Sequence, residues 1–276
     1  MNYMNKRKKI VLSAAALIIG LIHMVPFYIL VTTALKAKGD FSSKWVFPDK
    51  PAFENFSEAW ETANLSSAFY NTSIITVFSA LLLIIFGSMA AYPLARRQTK
   101  LNKFIFMLFV AIMVIPPLTA LVPLYQLVVD IGMMNTHEIA IFNNVAAYMP
   151  LAIFLYAGFI RSTIPKELEE AAKIDGASTL GIFFKVVFPL LKPVTASILI
   201  ISCVYIWNDY QFAIFFLQAE EVKTITVALA GFFGENANRM NLVAAAAIMA
   251  TLPMVILFLL LQKHFVKGLA SGSVKG

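Results

Sequence analysis

Six times along this chain a run of about twenty apolar residues recurs. A run of that length fits one environment, the ~30 Å hydrocarbon core of a bilayer, which ~20 helical residues just cross. The runs cover about residues 10–35, 69–94, 104–129, 139–160, 194–216 and 242–261. No water meets the backbone within lipid, so each segment must satisfy its own N–H and C=O groups, and a helix does that alone. With 60% hydrophobic and 13% charged residues among 276, the chain is far more apolar than the ~45–50% of soluble domains. Six spans and their connections use nearly all of it. The expected fold is all-α and polytopic: six transmembrane helices in a single membrane domain over 1–276, with no separate soluble domain.

The first run invites another reading, because Lys6, Arg7, Lys8 and Lys9 precede it as they would in a signal peptide. It is too long for an h-region of about 7–15 residues, and no small-residue cleavage site follows, so it counts as the first span. His23 and Pro26 inside it suit a kink or a helix contact better than a ligand site. The net charge of +7 is distributed as a topology signal and not as a nucleic-acid-binding face. Lysine and arginine gather at the N-terminus, between Arg96 and Lys103, along 161–193 and from Lys263 onward, whereas the connection 130–138 holds none. The positive-inside rule places those four segments in the cytoplasm, and six spans put both termini there. The expected partner is lipid, with no nucleic acid.

Two of the runs are irregular. Pro116, Pro117 and Pro123 remove three backbone donors from the third, which should be kinked or locally unwound. The fifth contains Trp207, Asn208, Asp209, Tyr210 and Gln211, the most polar cluster in any apolar run. An Asp facing lipid is costly, so this group is expected to line a wet passage or to lock helices together. Asn144 and Tyr148 in the fourth run are weaker candidates of the same kind. Outside the spans, 36–67 reads as a polar loop with some helix near 53–63. The segment 218–241 reads as a second polar loop, with Gly231, Gly234 and Asn236 supplying flexible turns.

No catalytic constellation is visible. Gly176 and Gly181 have the glycine spacing of a phosphate loop, but Ile182 and Phe183 stand where Lys and Ser or Thr would have to reach phosphates and magnesium. HExxH and GxSxG are missing, the histidines His23, His137 and His264 are scattered, and the lone cysteine, Cys203, lies in an apolar run. An enzyme is not expected, and any ATP that drives this chain must be hydrolysed by another polypeptide. What remains is the water-facing stretch 161–193, where acidic residues cluster. Pro165 suits a first helical turn, and Glu167, Glu169 and Glu170 then lie near the positive end of the helix dipole. Three carboxylates on a rigid helix suit arginine or lysine on a partner. Gly176 after Asp175 is the natural stop, Ser178 or Thr179 caps a second helix to Phe188, and Pro189 and Pro193 punctuate its end.

Within that stretch, Glu170-Ala171-Ala172, three residues, Gly176, nine residues and then Val186-Val187-Phe188-Pro189 resembles the EAA motif of permease subunits in bacterial ABC importers. Val186 and Phe188 replace the commoner Ile and Leu. The chain's end, Gly268-Leu269-Ala270-Ser271-Gly272-Ser273-Val274-Lys275-Gly276, resembles that of the MalG-like subunit of maltose-type carbohydrate importers. The resemblance implies a permease of the bacterial cytoplasmic membrane that moves a mono-, di- or oligosaccharide by alternating access. Its implied partners are a second, different permease subunit, a dimer of ABC ATPases that carries the ATP and Mg, and an extracytoplasmic sugar-binding protein. It implies no cofactor in this chain.

The same resemblance makes 161–193 a cytoplasmic helix-turn-helix coupling loop docked in the ATPase. Glu170 becomes the polar anchor, Ala171 and Ala172 the small residues that permit close approach, and Gly176 the turn, with Glu167 and Asp175 beside them. Gly268, Leu269, Gly272, Val274, Lys275 and Gly276 would lie at the ATPase interface, and 218–241 would probe the binding protein. The competing reading is an ion-coupled secondary transporter with Asp209 as its proton or cation site. Such carriers are often built from internal repeats, and none is evident between the two halves.

Overall fold

The computed structural model describes the backbone of residues 6–40 and 42–273, and side chains over that range outside residues 6, 7, 9 and 264–273. In chain order the helices are α1 Lys6–Ala34, α2 Glu54–Thr62, α3 Leu65–Arg96, α4 Lys100–Ile112, α5 Leu121–Asp130 and α6 His137–Thr163. They continue as α7 Lys166–Ile174, α8 Thr179–Ile182, α9 Phe188–Leu190, α10 Lys192–Trp207, α11 Ala213–Phe216, α12 Ile225–Glu235 and α13 Met240–Ser273. No strand occurs among the described residues.

Four unbroken stretches are apolar and long enough to cross a bilayer: Ile10–Ala34, Leu65–Arg96, His137–Thr163 and Met240–Lys263. The third and fifth apolar runs are broken pairs, which bring the crossings to six when each pair counts as one. Between Lys100–Ile112 and Pro117–Asp130 the chain turns by 94°. The proline-rich run is therefore fully broken. Pro116, held away from the helical region by the ring of Pro117, takes ψ 128 and starts a 3-10 turn over Pro117–Ala120. The other pair, Thr179–Leu190 and Lys192–Trp207, bends by 71°. Its helix stops at Trp207, short of the expected 216, because the Asp209 carboxylate accepts from the backbone N–H of Phe212 at 3.0 Å and starts a new turn.

The chain divides into two compact units, Met1–Ser66 with Ala228–Thr251 and Ser67–Val227 with Leu252–Gly276. The second contains the main core, centred on α6, which packs against α4 and α10. Ile153, Tyr156, Ala157 and Ile160 of α6 are buried. Tyr156 shares a hydrogen bond with Thr195 of α10 at 2.9 Å. On α3, Gly87 admits α6 closely: a Cβ there would stand 3.0 Å from that of Ala152. Small residues at such contacts let helices pack by dispersion where lipid offers no hydrophobic drive.

One buried asparagine in each unit meets backbone groups that helix ends leave over. In the first unit Asn55 donates to Ala34 O at 2.7 Å and Lys36 O at 2.8 Å, closing the end of α1, and accepts from Asn241 at 2.8 Å. In the second unit Asn71 donates to Glu221 O at 2.8 Å and Lys223 O at 3.0 Å, and its carbonyl lies 2.9 Å from Nε2 of His137. Beside it Thr72 accepts from Ile225 N at 2.9 Å. The segment 218–225 is thereby fixed to α3. An unmet buried polar group costs about 1–3 kcal/mol, so Asn71→Ala is expected to lower the thermal midpoint of the purified protein and to expose 218–224 to limited proteolysis. Replacement of exposed Gln218 by Ala should do neither.

Candidate functional site

The loop after α6 folds as the residues suggested, with one shift. Pro165 takes the N-cap position, at φ −62 and ψ 139, so that α7 begins one residue later, with Glu167 and Glu169 in its first turn. At the other end Gly176 adopts φ +80. The N–H groups of Asp175, Gly176 and Ala177 then return to the carbonyls of Ala171, Lys173 and Ala172 at 3.0, 3.1 and 3.0 Å. This closes the helix as a left-handed glycine cap does. Ser178 then caps α8 by accepting from Gly181 N at 3.2 Å. The chain continues through a π-helical turn, Phe183–Val187, into α9.

At 100° per residue, Glu169 sits roughly 140–160° around α7 from Glu167, Ala171 and Ile174. The structure uses those two faces differently. Glu167, Glu170, Ala171 and Asp175 are exposed, Ile174 is 87% exposed, and Ala172 is half-buried against the core. The outward face is thus a small apolar centre with carboxylates around it. Glu169 is not part of it. Its carboxylate is turned inward, accepting from Arg96 Nε at 2.7 Å and from the Tyr92 hydroxyl at 2.8 Å. Both partners of the ion pair are largely buried, at 11% and 13% side-chain exposure. Arg96 also donates to Ile164 O at 2.7 Å, and Arg161 donates in the opposite direction to Leu94 O at 2.8 Å while stacking over Phe106, 4.5 Å from its ring centre. Two carboxylates of α7, and not three, are therefore free to face a partner. Sequence reasoning missed Arg96 and Tyr92 because they lie 73 and 77 residues from Glu169 in the chain. The helical angle of Glu169 was the available signal.

The polar cluster of the fifth run divides. Trp207 is buried and meets Phe69 edge-on at 5.8 Å. Asn208 donates to Val204 O at 2.8 Å, and Asp209 caps the next turn while its carbonyl accepts from Thr226 at 2.8 Å. Asn208, Tyr210 and Gln211 are exposed. In α6, Asn144 is buried and donates to Ala140 O at 2.9 Å, whereas Tyr148 stacks on Tyr205 of α10 at 5.9 Å. The expectation of flexible glycine turns in 218–241 is corrected. Gly231 and Gly234 lie inside α12, which the apolar stretch from Ile225 sustains, and only Asn236 follows its end, donating from its backbone to Phe232 O at 3.0 Å. Of the chain's end, Gly268, Leu269 and Gly272 fall within the helical backbone of α13, and Val274, Lys275 and Gly276 lie outside the described residues.

Four apolar helices and two bent pairs of membrane-crossing length, with a folded helix-turn-helix between α6 and α10, describe an all-helical, multi-pass membrane protein. Residues 61–271 match the family model described as binding-protein-dependent transport system inner membrane component. The chain belongs to that family. It is 70% identical over 266 residues to the melibiose/raffinose/stachyose import permease protein MelC of Bacillus subtilis (strain 168), covering 96% of each chain. It is also 34% identical over 271 residues to a probable starch degradation products transport system permease, AmyC, of Thermoanaerobacterium thermosulfurigenes, covering 97% of each. Among solved structures, a chain of a bacterial ABC transporter that imports the acidic polysaccharide alginate shares the fold. The TM-score is 0.78 at 22% identity, over 96% of this chain and all of that one.

The left-handed backbone at Gly176 gives a direct test of the turn. A β-branched side chain there would pay roughly 1–2 kcal/mol for this conformation, whereas asparagine tolerates it. Gly176→Val is expected to open 173–181 to limited proteolysis and lower the thermal midpoint. Gly176→Asn should stay close to the parent in both.

Proposed function

We propose that this chain is one permease half of an ATP-driven, binding-protein-dependent importer of oligosaccharides such as melibiose, raffinose and stachyose. Its membership of the permease family and its 70% identity to a permease named for those sugars support the substrate class. The protein is a multi-pass membrane permease. The ATP and its Mg belong to a separate ATPase dimer, the other permease half is a different subunit, and an extracytoplasmic binding protein delivers the sugar. The distribution of lysine and arginine supports an orientation with both termini in the cytoplasm of a bacterial cell.

The observation that carries the docking role is the outward face of α7. Ile174 stands 87% exposed beside Ala171, with Glu167, Glu170 and Asp175 around it. Such a face fits an apolar cleft rimmed by arginine or lysine on the ATPase. Gly268, Leu269, Gly272, Val274, Lys275 and Gly276 form a second contact with the same partner. Binding moves the permease between inward-facing and outward-facing states only if the ATPase grips the two states differently. For the sugar route we favour the stacked Tyr148 and Tyr205 together with Asn208, Tyr210 and Gln211. Asn144 and Trp207 support that wall from within, and Gly231, Gly234 and Asn236 belong to the segment that meets the binding protein.

The ion-coupled alternative assigned Asp209 a titrating role, and no observation favours it, since that carboxylate is engaged in capping a turn. Ile174→Asp is expected to abolish co-purification of the ATPase and to reduce ATP-driven raffinose uptake in proteoliposomes at least tenfold, as removal of a central interface anchor does. Full retention of the ATPase by this variant, or uptake driven by a proton gradient without ATP, would refute the assignment.

A further inference from the structure

The ion pair between Glu169 and Arg96 serves no outward contact, and it sits where three helix ends converge. Arg96 is the last residue of α3, and its planar guanidinium engages two elements at once, Ile164 O just beyond α6 and the carboxylate of Glu169 in α7. Tyr92, one turn earlier on α3, holds the second oxygen of that carboxylate. Arg161 near the end of α6 reaches back to Leu94 O of α3. The two helices therefore exchange arginines, each satisfying a carbonyl at the other's end, and α7 is tied to both through one carboxylate. Along the chain only Ile164 and Pro165 join α6 to α7.

Two residues of linker cannot carry a push. Pro165 fixes its own φ and confines Ile164 before it to extended backbone, but its ψ can still turn, so a load on the outer face of α7 would swing the helix about this joint. A buried ion pair is a poor device for stability alone, because desolvation offsets much of its attraction. It is a good device for fixing an angle, since the fork of an arginine and two separate donors on one carboxylate permit a single arrangement. We propose that Glu169 is the strut of the permease, a positioning residue that Arg96 and Tyr92 hold so that movement of α7 is passed as one rigid body to α3 and α6. This rests on the reading of α7 as the ATPase-docking helix. Glu169 contributes to transmission, and Glu167, Glu170 and Ile174 contribute to grip.

Grip and transmission separate in one experiment on the complete transporter, reconstituted in proteoliposomes with its ATPase, partner permease and binding protein. ATP hydrolysis and uptake of radiolabelled raffinose are measured together. Coupling free energies between sites correspond to about 5–150-fold effects, and Glu169→Gln is expected to lower raffinose moved per ATP about tenfold. The ATPase should remain fully bound, and the thermal midpoint should fall because the buried Arg96 loses its counter-charge; raffinose moved per ATP is a ratio and does not depend on how much transporter is folded. Tyr92→Phe, which removes one hydroxyl, should shift the same ratio in the same direction by less, and the exchange of Arg96→Glu with Glu169→Arg should recover part of it.

An unchanged ratio in Glu169→Gln overturns the proposal. So does a proportional fall of hydrolysis and uptake together, which would leave coupling intact. Loss of the ATPase from Glu169→Gln also overturns it, by placing the residue in docking. Failure of the docking reading itself is seen separately, as retention of the ATPase by Ile174→Asp.

Discussion

At several helix ends of this chain a side chain meets the backbone groups left over, and the fold depends on that obligation. Asn102 donates to Pro93 O and Arg97 O at 3.2 and 3.0 Å, Arg161 to Leu94 O, Arg96 to Ile164 O, Asn55 to Ala34 O and Lys36 O, and Asn71 to Glu221 O and Lys223 O. An unmet carbonyl in hydrocarbon or in a packed core has no water to turn to, so each of these residues supports a helix terminus that would otherwise fray. The polar residues of a chain with 13% charge are therefore concentrated at joints, and the joints are where the helices can be steered.

The same obligation decides what could be foreseen. Helices and their rough limits follow from apolar run length, and the turn in 161–193 follows from local chemistry: a proline before the first turn, a glycine after the last, a serine cap. Those signals act over a few residues, so a linear reading captures them. Glu169 shows where such a reading ends. Its helical angle sets it apart from Glu167 and Ile174, but its partners are 73 and 77 residues away in sequence, and nothing local names them. The polar cluster at 207–211 fails in the opposite way. Five adjacent polar or amphipathic residues read as one group, yet the cap that Asp209 gives to Phe212 N–H ends α10 and sends Trp207 into the core while Tyr210 and Gln211 stay exposed. The glycines of 218–241 were misread for a related reason. Glycine permits a turn but does not demand one, and the apolar residues around Gly231 and Gly234 favour the helix that forms.

On the proposed reading, α7 has two mechanical duties that oppose each other in chemistry. Toward the ATPase it must bind and release, which suits a small apolar centre and a few exposed carboxylates. Ile174 forgoes about 1.5–3 kcal/mol by standing in water, and regains that stabilisation only when a partner covers it. Toward its own helices it must not yield, which suits a buried, charge-assisted, multiply bonded carboxylate. Placing the two sets on opposite faces of a nine-residue helix lets each be tuned without the other. A softer outer contact changes how long the ATPase holds, and a softer inner contact changes how far its movement reaches.

Stiffness at this joint also fits the broken spans. The run ending in α10 bends by 71° just after the helix-turn-helix, and the run between α4 and α5 by 94°, so neither forms a straight lever. The unbroken α3 and α6 are better suited, each long enough to cross a bilayer from the joint, at 32 and 27 residues, with Pro93 close to the joint in α3 and Pro150 within α6. At ~1.5 Å per residue these are rods of roughly 48 and 40 Å. A few degrees of tilt imposed at the Arg96 end displaces the far end by a few ångströms, in the region where α3 and the start of α6 fix 218–225 through Asn71, Thr72 and His137. The long helices that pack best are thus also the ones able to carry a small movement from one membrane face to the other. On the proposed reading, a single buried carboxylate thereby gains leverage over a segment at the far ends of both helices.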